Sequence, residues 1–273
     1  MKIHRRGDCG DDVGLLQHRL IRAGQPVTVN YLYDDETELA VAALQRCAGL
    51  VVDGIAGPKT YATLANGQRD RKHLRDADLI EAADALGVPV ACIRAVNEVE
   101  SRGSGFLPDG RPVILFERHK FWQRLENHGI DPAPLAVQLP NIVSQKVGGY
   151  QGGAAEYTRL TRAERIDPVA AWESSSWGAF QIMGHHWQRL GYASADDFVA
   201  HMESNESAQL DAFVRFIAAD SSLLAALKSR KWIQFAKLYN GPNYARNLYD
   251  AKLAQAYLKY VAPHYPRVDA AAA

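Results

Sequence analysis

The 273 residues exceed the usual size of one domain, so two units of unequal length are expected. Hydrophobic residues make up 47%, enough for real cores, and 31 basic residues balance 31 acidic ones, which argues against nucleic acid as the main partner. No apolar run reaches the length of a membrane span.

The N-terminus, Met1 to Asp8, turns charged at once and lacks the apolar stretch of a signal peptide, so synthesis in a cytoplasm is expected. Val13, Leu16 and Leu20 recur at helical spacing up to Gly24, and Val41, Leu44 and Ala48 repeat the pattern up to Gly49. A turn over Val52–Thr60 then leads into a third short helix. Pro58 stands in its first turn, where a missing N–H costs nothing, and Tyr61 and Leu64 face inward. Three short helices around one small core follow.

Asn66 to Arg75 is polar and charge-dense, which is linker composition. Asp76 or Asp78 reads as the N-cap of a helix carrying Leu79, Ile80, Ala83 and Leu86, with Gly87 as its stop. Beyond it, Val113–Phe116 is the clearest strand in a mostly helical pattern. Amphipathic stretches follow near Gln209–Ala219, Lys231–Tyr239 and Tyr244–Tyr260, and the last residues, 270–273, read as a frayed tail. Cys9, Cys47 and Cys92 are odd in number and widely spaced, and His185-His186 lacks ligand spacing. Neither a metal nor a cofactor is expected.

Two carboxylates sit close together in the helix that reaches Glu98-Val99-Glu100-Ser101. At about 100° per residue, Glu100 shares a face with Ile93 and Val96, whereas Glu98 points to nearly the opposite side. A carboxyl on an apolar face can stay protonated near neutral pH and act as a general acid. Further on, Glu117 ends the apolar run Ile114-Leu115-Phe116 beside Arg118-His119, and Asp109 lies in a turn, Leu107 to Pro112. A charge at the end of a buried strand is unusual unless paired or functional, which favours Glu117 as a second carboxylate. Arg118 could simply neutralise it, and a mechanism without an essential base would need neither.

Three runs in order, Glu98-Val99-Glu100-Ser101, Ser176-Trp177-Gly178-Ala179-Phe180-Gln181-Ile182-Met183 and Leu238-Tyr239-Asn240-Gly241-Pro242, resemble the signature of the goose-type lysozyme and lytic transglycosylase superfamily. Gly7-Asp8, Leu16-Gln17, Leu44-Gln45, Asp53-Gly54, Gly57-Pro58 and Thr60 resemble the common three-helix peptidoglycan-binding module. Leu16-Gln17 and Leu44-Gln45 echo each other as halves of a degenerate repeat. The first half departs from the module's pattern, with Tyr33-Asp34-Asp35-Glu36-Thr37 in place of a glycine-containing turn.

Together these resemblances point to modular phage endolysins of Gram-negative hosts. The fold they imply is mainly α, a small three-helix binding bundle followed by a larger lysozyme-like helical domain with a short β element. The boundaries are a binding domain over 1–67, a linker over 68–76, a muramidase domain over 77–267 and a tail over 268–273. The activity implied is cleavage of the β-1,4 bond between N-acetylmuramic acid and N-acetylglucosamine in peptidoglycan, with Glu100 as the acid. Ser175, Ser176, Gln181, Tyr239 and Asn240 would contact substrate, and Trp177 and Phe180 could stack on sugars or fill the core. Two alternatives remain, a lytic transglycosylase, which needs only one carboxyl, and a wall-binding virion protein without activity.

The partner implied is peptidoglycan, met by a monomer in the periplasm after release through a holin. A basic helix near the C-terminus (Lys252, Lys259, Arg267) meets solvent or touches anionic outer-membrane lipid.

Overall fold

The computed structural model describes residues 3–101, 104–241, 244–262 and 265. It is mainly helical, and the described residues divide by compactness into two units, Met1–Val99 with Ala226–Ala273 and Glu100–Ala225.

The first unit opens with the three-helix bundle. Helices α1 (Asp11–Arg22), α2 (Asp35–Cys47) and α3 (Pro58–Asn66) enclose Val13, Leu16, Leu20, Tyr33, Val41 and Leu44, with Tyr61 and Leu64 packed against them. Burying each of the larger side chains contributes about 1.5–3 kcal/mol. Pro58 occupies the first turn of α3, as its fixed φ and missing donor favour.

The repeat read from Leu-Gln is visible in the hydrogen bonds. Gln17 accepts from the N–H groups of Asn30 and Tyr31 and donates to Asn30 Oδ1, Leu32 O and Thr37 Oγ1. Gln45 makes the same five bonds one repeat later, to Asp53, Gly54, Ile55 and Thr60. Both amides are buried, so each holds a turn that would otherwise bury unpaired donors.

The two turns differ at one position. Gly54 has φ +66°, and a Cβ there would meet Glu38 Cγ at 2.8 Å. Its counterpart Tyr31 adopts φ +61° despite carrying a side chain, a conformation that costs about 1–2 kcal/mol outside glycine. The acidic replacement in the first half is accommodated, because Asp34 accepts the Thr37 N–H at 2.9 Å and caps α2.

Residues 66–75, read as linker, are anchored at their far end, where Leu74 is buried. Helix α4 (Asp76–Leu86) is capped by Arg75 rather than by an aspartate: Asp78, three residues in, accepts the Arg75 N–H at 2.8 Å. Asp76 is used differently, accepting from Val52 N and from the buried Arg94 of α5 (Val90–Glu100). Arg94 also donates to Val52 O at 3.0 Å, and Tyr265 donates to the same carbonyl. The bundle is thus fastened to the helices that follow it within this unit.

The second unit is built around a three-stranded antiparallel sheet in the order β1 (Ile114–Phe116), β2 (Ser175–Trp177), β3 (Ile182–Met183). Phe116 pairs with Ser175, and Trp177 pairs with both Ile114 and Ile182. Helices α6 (Arg118–Asn127), α7 (Ala133–Gln138), α8 (Ala155–Glu164), α9 (Pro168–Glu173), α10 (Ala195–Ser204) and α11 (Glu206–Ala218) surround it. Helix α12 (Ser221–Lys228) leads back to the first unit.

There, α13 (Trp232–Asn240) matches the amphipathic stretch that ends at Tyr239. The stretch Tyr244–Tyr260 is broken into a 3-10 turn over Tyr244–Asn247 and α14 (Tyr249–Val261), with Leu248 at φ +52° between them. Among the described residues no helix is long and apolar enough to cross a membrane. Of the basic residues near the C-terminus, Lys259 is bonded to Glu98 at 3.1 Å and Lys252 stands by the Tyr249 ring. Arg267 and the tail lie outside the described residues.

Candidate active site

Helix α5 separates its two carboxylates as the 100° step requires. Ile93 and Val96 are buried and Glu98 lies on the exposed side, where Tyr260 Oη and Lys259 Nζ hold its carboxylate. Glu98 is committed to that tie. Glu100 closes the helix half-buried and is the first residue of the second unit.

In that unit, Glu117 follows β1 directly. Tyr150 Oη donates to Glu117 Oε2 at 2.7 Å, and His119 Nδ1 lies 3.2 Å from the same oxygen. Burial first, and then the neighbouring Glu117 carboxylate, push the Tyr150 hydroxyl up to about 12, so it remains a donor at any physiological pH. Arg118 does not neutralise Glu117. Its guanidinium donates instead to the carbonyls of Lys146, Pro140 and Val147, across the chain that leads to Tyr150.

The strand end that carries Glu117 is fixed from below by a buried ion pair. Glu156 and Arg159, one turn apart on α8, meet at 2.6 Å with almost no exposure. Glu156 accepts from Phe116 N, Gln151 N and Gly152 N, while Arg159 donates to Phe116 O at 2.9 Å. Burial alone would raise the Glu156 pKa, but the Gly152 and Gln151 N–H groups and Arg159 outweigh it and hold the carboxyl below its ordinary value. Asp109, the other candidate, is exposed and bound to Arg111 at 2.6 Å, which lowers its pKa.

The run Ser176 to Met183 forms the β2–β3 turn. Ser176 Oγ donates to Gln181 Oε1 at 2.9 Å, and Gln181 Nε2 donates to Gly178 O at 2.8 Å and Val113 O at 3.4 Å. Gln181 sits at φ +52°, a strained backbone that this bonding of its amide sustains. Gly178 is required by close approach, since a Cβ would meet the Gln209 side chain at 2.6 Å. Gln209 in turn accepts from Ala179 N and donates to Gly105 O, and Glu206 accepts from Gly105 N. Two buried residues of α11 thereby tie this turn to the segment that precedes β1.

The serines part company. Ser175 is fully buried and spends its hydroxyl on Ala171 O, so its place is inside the protein. Ser176 and Gln181 share one cluster next to β1. Trp177 and Phe180 are core residues rather than sugar platforms: Trp177 donates to Trp172 O, and Phe180 stacks on Phe213 at 4.8 Å. Tyr239, stacked on Phe235 at 5.8 Å, and Asn240 end α13 in the first unit, followed by Gly241 at φ +73°. Pro242 lies outside the described residues.

Sequence reasoning missed Tyr150, His119, Glu156, Arg159, Glu206 and Gln209. The i,i+3 spacing of Glu156 and Arg159 was the one available signal, and it is common on solvated helices.

Comparison with known proteins agrees with this architecture. Residues 89–261 match the N-acetylmuramidase family, and residues 9–64 match the putative peptidoglycan binding domain. The crystal structure of a Burkholderia AP3 phage endolysin is 54% identical, with a TM-score of 0.91 over 95% of this chain and 99% of that one. An N-acetylmuramoyl-L-alanine amidase, CwlL, of Bacillus licheniformis is 46% identical over 66 residues, or 23% of this chain. The chain spans only 18% of that amidase's length. The chain belongs to the N-acetylmuramidase family of peptidoglycan hydrolases, with a peptidoglycan-binding domain ahead of the family's own.

Proposed function

We propose that the chain is a lysozyme-type muramidase that hydrolyses the β-1,4 bond between N-acetylmuramic acid and N-acetylglucosamine. Glu100 gives its proton to the bridging oxygen as general acid, and Glu117 draws a proton from the attacking water as general base. Within the second unit Ser176 and Gln181 hold the substrate, whereas the buried Ser175 only shapes the strand.

The observation that carries hydrolysis over transglycosylation is the state of Glu117. Its carboxylate accepts from a tyrosine hydroxyl with His119 Nδ1 3.2 Å away, while the adjacent arginine turns away to three carbonyls. A transglycosylase, in which the sugar's own hydroxyl attacks, has no use for a second carboxylate from which the neighbouring arginine is drawn away.

Mass spectrometry of muropeptides released from purified peptidoglycan tests this reading. Reducing N-acetylmuramic acid ends are expected, and anhydro-muramic ends would leave Glu100 working alone. Glu117→Gln is expected to lower the release rate by about 10²–10⁴-fold. An unchanged rate would remove Glu117 from the mechanism.

The same reading covers the binding domain over 1–67 and the muramidase domain over 77–267, acting as a monomer. It sets the place of action at the periplasmic wall of a Gram-negative host, reached from the cytoplasm through a holin.

A further inference from the structure

In the binding bundle, one residue is built against the preferences of its own backbone. Tyr31 takes a left-handed conformation in the turn whose twin uses Gly54 for the same φ. Its ring lies over Gly14, the fourth residue of α1, so closely that a Cβ there would meet Tyr31 Cδ1 and Cε1 at 2.6 Å. Two positions are therefore unfavourable for their elements, a tyrosine where glycine belongs and a glycine inside a helix. Their joint effect is to lay one aromatic ring against the helix with 49% of the residue still exposed. The Gln17 amide oxygen, which accepts from Tyr31 N, sustains this strained backbone.

The twin turns also differ in access. Gly54 is buried, Tyr33 Oη donates to its carbonyl, and the neighbouring Val52 carbonyl is covered by Arg94 and Tyr265. The Tyr31 turn stands open, and Leu32 beside it is 44% exposed. The flanking chain carries Asp11-Asp12 after Gly10, whose N–H bonds Tyr31 O, and Asp34-Asp35 after Tyr31. Asp35 is paired with Arg6, and Asp34 is taken up by Asn30 and Thr37, so the turn presents its ring and polar acceptors rather than a net charge.

We infer that Tyr31 is the aromatic platform on which the binding domain stacks a pyranose ring of the glycan strand. The inference rests on peptidoglycan being the domain's ligand and is independent of the cleavage chemistry. The exposed side of the ring meets the C–H face of a sugar, a contact that needs neither a charge nor a rearrangement of the turn.

The test uses the full chain, held on ice so that the wall stays intact. Co-sedimentation with purified sacculi is followed by titration with peptide-free glycan strands and, separately, with released stem peptides. Tyr31→Gly restores the residue that the twin turn carries, so its melting temperature should equal or exceed that of the parent. Its affinity for glycan strands should fall about fivefold or more, while Tyr31→Phe keeps it. If the glycine variant is poorly folded, Tyr31→Asn, which tolerates the left-handed region, replaces it.

A glycine or asparagine variant that binds glycan strands like the parent overturns the inference. So does a parent that binds stem peptides alone. A parent that binds no sacculi fails earlier, at the assignment of the domain's ligand.

Discussion

Glu100→Gln lowers the release of soluble muropeptides by about 10²–10⁴-fold and leaves the melting temperature close to that of the parent. The amide keeps the size and shape of the carboxyl but has no proton to give to the departing sugar oxygen. Structural damage is not expected, because the residue closes α5 at a half-buried position while the helix is held by Ile93, Val96 and Arg94 further back. Glu98→Gln serves as the control on the same helix. It loosens the tie to Lys259 and Tyr260 and should reduce activity far less. Equal losses in the two variants would mean that the helix, not Glu100, is what matters, and full activity in Glu100→Gln would remove the proposed acid.

The second large effect is on stability. Glu156→Ala strips the buried Arg159 of its counter-charge and leaves Gln151 N and Gly152 N without their acceptor. Breaking one side of a buried pair costs about 3–5 kcal/mol. A drop of about 6–20 °C in thermal unfolding should result.

The pH dependence has a definite sign. The folded Glu156 pKa lies below its ordinary 4.5, so its contribution is complete above that value and is lost as pH falls through the folded one. Melting curves from neutral pH into the acid range should therefore show the parent losing more stability than Glu156→Gln, which has no carboxylate to protonate. Parallel acid limbs in the two proteins would show that Glu156 carries no such linkage. Loss of Glu156 should also depress activity, because the pair holds both the N–H and the carbonyl of Phe116, the residue before Glu117.

What the sequence made legible was local. Pro58 in a first turn and the 100° step that separates Glu98 from Glu100 each depend on residues within a few positions of one another, and the Leu-Gln echo on one short pattern read twice. The strand over Ile114–Phe116 was visible because it is a continuous apolar run. Its partners were not, since Ser175-Ser176-Trp177 is short and polar and Ile182-Met183 is shorter still. The supports of the site were hidden for a different reason. Glu206 reaches Gly105 across 101 positions, and Arg159 reaches Phe116 across 43, so no window contains both partners. The aspartate cap of α4 was misplaced because a capping box puts the acceptor three residues inside the helix, where it looks like one more surface charge.

The fastening of the binding bundle has a practical consequence for anyone recombining such enzymes. Val52 offers its N–H to Asp76 and its carbonyl to Arg94 and Tyr265, so the bundle is not a bead on a loose string. A chimera that cuts at the charged stretch and grafts on a foreign module strands the Arg94 guanidinium, 5% exposed, with half its partners missing. Exchange of wall specificity should therefore succeed by regrafting the open Tyr31 turn onto this scaffold, leaving the Val52 side untouched, and fail when whole modules are swapped.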